Sequence, residues 1–238
     1  MLLDLIFPKV CSSCNSPARE NLICDVCLSN VRLISGRKIC SKCGHPFGLA
    51  DPIEHNRYEK HFCGKCLAET YYFYRARSVA FYEGWLRESL HRFKYRGKLG
   101  LGRVFSRILA KYYPTELDEI DLMVTVPLHI GRLRSREFNQ SIVMVKGLAK
   151  RIGVPFNAFA LKRVKDTRPQ YEMGNETERR RNVRGAFTVG DAEKVKGKSV
   201  LLLDDVFTTG STLNECTRVL LKSGVVKVQV LTLMRAVN

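Results

Sequence analysis

The 238-residue chain has no apolar run long enough to cross a bilayer, which takes about 20 consecutive apolar residues. Its opening stretch, Met1 to Phe7, is apolar but contains Asp4 and lacks a basic leader. The expectation is a chain without a signal peptide that works in the cytoplasm and inserts in no membrane. Acids are scarce: 23 Asp and Glu face 40 Lys and Arg, for a formal charge of +17. The imbalance is uneven, with residues 1–75 at +3 and residues 76–238 at +14. A field of that sign suits phosphorylated substrates and nucleic acid alike, and does not choose between them. Apolar content is ordinary for a globular protein at 45%, and the length allows one α/β domain with a small appendage.

Cysteine is plentiful and clustered. Eight of nine fall in four Cys-x-x-Cys pairs: Cys11/Cys14, Cys24/Cys27, Cys40/Cys43 and Cys63/Cys66. A tight turn within each pair brings both sulfurs to one side, so four pairs can form two closed tetrahedral Cys₄ zinc sites of structural type. A disulfide framework is the alternative, and suits a small secreted domain better. Sequential pairing, first with second and third with fourth, is favoured; interleaved pairing stays open. His45, His55 and His61 lie near the second set and read as solvated loop histidines. Zinc thiolates would bring residues 1–75 to near neutrality, which leaves the positive field to the remainder. The odd Cys216 falls on an apolar helix face and reads as a core thiol.

The chain is organised around Val200-Leu201-Leu202-Leu203-Asp204-Asp205-Val206-Phe207-Thr208-Thr209-Gly210-Ser211-Thr212. The short apolar run reads as a strand buried on both faces, with the carboxylates at its C-terminal end. Leu213, Cys216, Val219 and Leu220 then share one face of a helix. Ligands of open α/β sheets bind beyond the strand C-termini. A hydroxyl-rich turn entering a helix can aim backbone N–H groups, hydroxyls and the positive helix end at one phosphate. Adjacent carboxylates would repel that phosphate, so a second task is expected of them: sugar hydroxyls, or Mg²⁺. The stretch resembles the phosphoribosyl-pyrophosphate (PRPP) motif of the type I phosphoribosyltransferases. The resemblance implies a parallel sheet flanked by helices, with Thr208, Thr209, Gly210, Ser211 and Thr212 on the 5′-phosphate. It gives Asp204 and Asp205 the ribose hydroxyls, directly or through Mg²⁺, and the stabilisation of positive charge at C1.

Elsewhere, Arg77 to Glu83, Leu122 to Val126 and Lys227 to Met234 read as strands. Trp85 to Tyr113 reads as helix broken at Arg96-Gly97-Lys98-Leu99-Gly100, and Ile142, Val145, Ala149 and Ile152 mark another helix. Eight Lys/Arg and one acid lie between residues 87 and 111. Within that stretch, Lys94, Tyr95 and Arg96 are candidates for contact with substrate or single-stranded nucleic acid, against a solvated basic face. Tyr71-Tyr72-Phe73-Tyr74 reads as packing between an N-terminal zinc module (1–75) and the main α/β domain (76–238), with base stacking as the alternative. Leu128, Arg132, Arg134 and Arg136 follow a strand end, where arginine forks suit a departing pyrophosphate. Residues 162–185 hold eight Lys/Arg and read as a mobile loop with a short helical piece, against a basic linker.

Together with the four Cys-x-x-Cys pairs, several segments resemble the ComF/GntX-type competence proteins. They are Phe93-Lys94-Tyr95-Arg96-Gly97, Pro127-Leu128-His129, Phe138-Asn139-Gln140, Asp166-Thr167-Arg168-Pro169-Gln170 and Glu178 to Phe187. One departure is Glu137, where that family usually has Gly. The resemblance implies a loop carrying Arg168, Gln170, Arg179 and Asn182 that closes over PRPP, excluding water. It also implies a role in natural transformation, handling incoming single-stranded DNA beside a helicase-like partner. Two functions stay open: phosphoribosyl transfer to an unidentified acceptor, and a non-catalytic DNA-binding or PRPP-sensing adaptor.

Overall fold

The computed structural model describes residues 10–18, 23–48, 61–128, 140–167 and 173–237. In chain order the elements are α1 (Asp25–Ser29), α2 (Gly64–Ala68), β1 (Arg75–Phe81), α3 (Gly84–Tyr95), α4 (Gly100–Lys111), β2 (Leu122–Thr125) and α5 (Gln140–Ile152). They continue with β3 (Phe156–Asn157), β4 (Leu161–Arg163), α6 (Glu176–Val183), β5 (Phe187–Val189), β6 (Ser199–Phe207), α7 (Ser211–Lys222) and β7 (Lys227–Arg235). Five strands form one sheet in the order β1-β7-β6-β2-β3, and each neighbouring pair is parallel. β4 and β5 pair antiparallel beside it.

β6 is central because its apolar run has no polar face to offer solvent. Val200, Leu201, Leu202 and Leu203 are all fully buried, and the period-2 pleat sends alternate residues to opposite sides. Leu201 and Leu203 pack into the core with Leu90 and Phe93 of α3, Phe105 of α4 and Met144 of α5. Val200 and Leu202 pack with Leu213, Cys216 and Leu220 of α7 on the other side. Each such side chain stabilises the fold by about 1.5–3 kcal/mol relative to exposure.

The cysteine-rich segment covers the edge strand β1, which would otherwise present an unpaired row of backbone groups. Ile34 N–H donates to Val79 O at 2.9 Å, Phe81 N–H to Arg32 O at 3.0 Å and Ala76 N–H to Lys42 O at 2.7 Å. The segment straddles the sheet. Cys11 and Cys27 join the core on the α3–α4–α5 side, while Cys40 and Cys43 join the α7 side. Among the described residues, no helix is long and apolar enough to cross a membrane.

Candidate functional site

The eight clustered cysteines assemble sequentially. Cys11, Cys14, Cys24 and Cys27 form one group and Cys40, Cys43, Cys63 and Cys66 the other, with all sulfurs in a group within 4.8 Å of one another. This removes the interleaved alternative. A Zn–S distance of about 2.3 Å sets a tetrahedron edge of about 3.8 Å. The Cys14–Cys24 and Cys43–Cys63 sulfurs lie 3.6 and 3.7 Å apart, far beyond a disulfide bond of about 2.05 Å. The donor set therefore fits zinc at both places. Of the nearby histidines, His45 is half-buried rather than solvated, and burial lowers its pKa; His55 lies outside the described residues.

The acid pair sits inside β6 rather than after it. The strand continues to Phe207 because β7 is as long, with Asp204 opposite Thr232 and Phe207 opposite Arg235. The pleat then sends the two carboxylates to different faces. Asp205 accepts a hydrogen bond from Lys94 Nζ at 2.7 Å, across from α3. Asp205 N–H donates to Asp204 Oδ1 at 2.9 Å. Burial, and then the charge of Asp205, push the Asp204 carboxyl up to about 7, against the opposing pull of Lys94. With their side chains on opposite faces of β6, the two carboxylates are separate acceptor groups rather than one chelating pair.

Beyond the acids the chain turns sharply into α7. Gly210 has φ +81°, and a Cβ there would lie 2.7 Å from Phe207 Cζ and 3.2 Å from Tyr71 Cε1. Only glycine fits, for reasons of both backbone and space. Thr209 and Ser211 share a hydroxyl hydrogen bond of 2.9 Å, and Thr208 is exposed while Thr212 is half-buried. Twelve residues of α7 place their positive end at this turn. The turn is held from the cysteine-rich side. Tyr71 OH donates to Thr209 O at 3.0 Å. Asn214 of α7 accepts from Tyr72 N–H at 2.6 Å and donates to Thr70 O at 3.0 Å.

α6, the helical piece expected within residues 162–185, is capped by Asn175, whose Oδ1 accepts from Glu178 N–H at 2.9 Å. It carries Arg179 and Asn182. It is clasped by the end of the second cysteine group: Lys65 Nζ lies 2.5 Å from Glu176, which also pairs with Arg180 at 3.2 Å, and Arg180 pairs with Glu69. Between α6, α7 and residues 69–72 runs an open groove of about 820 Å³, reaching Thr209 and Ser211 and edged by Arg184, Arg218 and Lys222.

Several expected site residues come together and others do not. Lys94, read from sequence as a substrate or nucleic-acid contact, is drawn into the acid pair, whereas Tyr95 and Arg96 are exposed at the end of α3. Leu128 is half-buried beyond β2, which pairs with β6. His129, Arg132, Arg134, Arg136, Glu137, Arg168 and Gln170 lie outside the described residues. Cys216 is fully buried, as expected of a core thiol. Sequence reading missed Asn214 and Arg235, and saw Tyr71 as packing or base stacking rather than as a hydrogen-bond donor to the turn. The one available signal for Arg235 was a cation following the mostly apolar run Val228 to Met234.

Residues 2–67 match the double zinc ribbon domain and residues 138–237 the phosphoribosyl transferase domain. Parallel sheet, acid pair, glycine turn and paired four-cysteine groups thus define a phosphoribosyltransferase-type domain carrying a double zinc ribbon. Relatives match over nearly the full length. DNA utilization protein YhgH of Salmonella typhi is 31% identical over 238 residues, covering 97% of this chain and 99% of its own. Competence protein F of Haemophilus influenzae is 30% identical over 229 residues, covering 91% and 98%. Competence protein ComFC of Bacillus subtilis is 28% identical over 219 residues, covering 86% and 80%. The chain belongs to this family of competence protein F and DNA utilization proteins.

Proposed function

We propose that the chain binds Mg²⁺-PRPP at the end of β6 and transfers its phosphoribosyl group to an acceptor during the handling of incoming single-stranded DNA. The observation that carries the reading is the placement of Asp204 and Asp205 directly before a glycine turn that opens α7. The turn, with Thr208, Thr209, Gly210, Ser211 and Thr212, holds the 5′-phosphate through backbone N–H groups and hydroxyls. Asp204 and Asp205 hold the 2′- and 3′-hydroxyls and face the positive charge that develops at C1. Bound Mg²⁺ would neutralise pyrophosphate charge and orient the substrate. The bond from C1 to the pyrophosphate oxygen breaks, its electron pair leaving with pyrophosphate. The acceptor's lone pair forms the new bond to C1, and the acceptor's proton passes to solvent.

Charge, and the names of the relatives, support the DNA role. α3, α4 and the turn between them expose Arg87, Arg96, Lys98, Arg103, Arg107 and Lys111, with Tyr95 beside His91 at 4.6 Å between ring centroids. Cations beside aromatic rings suit single strands. A helicase-like partner and a cytoplasmic setting complete the picture. The Lys94–Asp205 ion pair favours a second reading, in which the site senses PRPP without turnover. Pyrophosphate release on addition of PRPP with nucleobases, amines or oligonucleotides supports transfer. Its absence from all three, with PRPP bound, supports sensing. A single-strand affinity that falls with log salt at about −0.7 per phosphate contact supports the DNA role, and a flat salt response contradicts it.

A further inference from the structure

We propose that the second four-cysteine site fixes the geometry of the phosphate turn, with Arg235 and Tyr71 as its positioning residues, and that the first four-cysteine site does not. This rests on reading the turn as the PRPP phosphate cradle.

Two routes join the second site to the turn. The first runs through Arg235, the last residue of β7, which is 4% exposed. Its Nη1 donates to Cys43 O at 2.7 Å and its Nη2 lies 3.5 Å from Cys43 Sγ. The same guanidinium stacks 4.2 Å from the ring centroid of Phe207, the ring that a Cβ on Gly210 would strike. A Zn(Cys)₄ centre carries a net charge of about −2, so metal loading strengthens the hold on this cation. Partners outside the ligand set orient a metal site and are oriented by it.

The second route follows the chain from Cys66 to Tyr71. The Tyr71 ring stacks on Phe73 at 5.0 Å, and Phe73 meets Phe207 edge-on at 6.2 Å. The Tyr71 hydroxyl binds the Thr209 carbonyl. In a trans peptide the carbonyl and the next N–H point in opposite directions. Holding Thr209 O on Tyr71 therefore aims Gly210 N–H away from Tyr71 and stops the peptide from turning over. Phe207 and Tyr71 grip this one peptide from the zinc side.

Among the described residues the first site has no such route. Its Cys11 and Cys27 pack on the α3–α4–α5 face of the sheet, away from α7. Loss of metal there should leave the turn in place.

The test uses the full chain loaded with zinc, and in parallel with Co²⁺, whose thiolate absorption reports the sulfur environment. Calorimetry measures Mg²⁺-PRPP affinity in Tyr71→Phe, Arg235→Lys and the control Arg32→Ala. Tyr71→Phe is expected to weaken binding about tenfold, one neutral hydrogen bond's worth, while metal content stays at two equivalents. Arg235→Lys should weaken it at least as much and shift the Co²⁺–thiolate band. In the unsubstituted Co²⁺ protein the band should shift on addition of Mg²⁺-PRPP, because coupling is reciprocal. Arg32→Ala should do neither. Binding within twofold in both variants, with an unmoved band, overturns this inference and spares the reading of the turn. Failure of the unsubstituted protein to bind Mg²⁺-PRPP removes both.

Discussion

Replacing Gly210 with Ala puts the geometry of the turn to a quantitative test. Two penalties add. A left-handed backbone costs an L-residue about 1–2 kcal/mol, and φ at Gly210 is +81°. The new Cβ would also meet Phe207 Cζ at 2.7 Å and Tyr71 Cε1 at 3.2 Å. Phe207 is 1% exposed, so its ring has little room to retreat, and such overpacking costs about 1–3 kcal/mol. The sum, about 3 kcal/mol, corresponds to roughly 6–12 °C in Tm for a chain of this size. Gly153→Ala is the matched control: φ is +72°, with nothing within 4 Å of the new Cβ. It should lose only the backbone share, about 1 kcal/mol or roughly 2–4 °C. Thermal unfolding followed by Mg²⁺-PRPP calorimetry separates the two variants. Gly210→Ala should lose affinity at least tenfold and Gly153→Ala none. Equal Tm losses with equal, undiminished affinities would refute the close-packed cradle.

Other consequences follow from the acid pair, the sulfurs and the clasp. Because the Asp204 carboxyl titrates at about 7 and must be ionised to hold a hydroxyl or cation, Mg²⁺-PRPP affinity should rise with pH below 7 and level off above it. In unfolding, the same shift works the other way. The folded state binds the extra proton between about pH 4 and 7, so this group's contribution to stability falls as pH rises through that window. Lys94→Met should move the midpoint of the affinity profile upward; an unmoved midpoint would place the Lys94 ammonium elsewhere. Metal analysis should give two zinc equivalents, with Cys27→Ser and Cys66→Ser each losing one. Chelation should lower Tm, since structural zinc contributes directly to folding. Glu69→Gln with Lys65→Ala should speed amide exchange across residues 176–183 while Tm drops by only a few degrees, given about 0–1 kcal/mol per exposed ion pair.

What the sequence made legible followed its strongest periodicities. Val200 to Leu203 reads as a strand buried on both faces and is one, and the stripe through Leu101, Val104, Phe105, Ile108 and Leu109 is buried along α4 as its spacing implies. The end of β6 was not legible, because Asp204 to Phe207 stay in the ladder only through pairing with the distant β7. β4 and β5, three residues each, are too short for a pattern to show, and their pairing is non-local. Cysteine spacing specified two metal groups but not their membership, which depends on how the segment folds over β1. Lys94 is the clearest case. As one of eight Lys/Arg in residues 87–111 it reads as either a substrate or nucleic-acid contact or part of a solvated basic face, and only the packing of α3 against β6 brings it to Asp205. Arg235 escaped notice for the same reason, since its partners Cys43 and Phe207 are remote in sequence.

The most direct measurement is calorimetric titration of Mg²⁺-PRPP into the zinc-loaded chain and into the Asp204→Asn, Asp205→Asn double variant. The expected result is one saturable site in the first and none in the second, with unfolding of the double variant still cooperative. Equal binding by both proteins, or by neither, would contradict it.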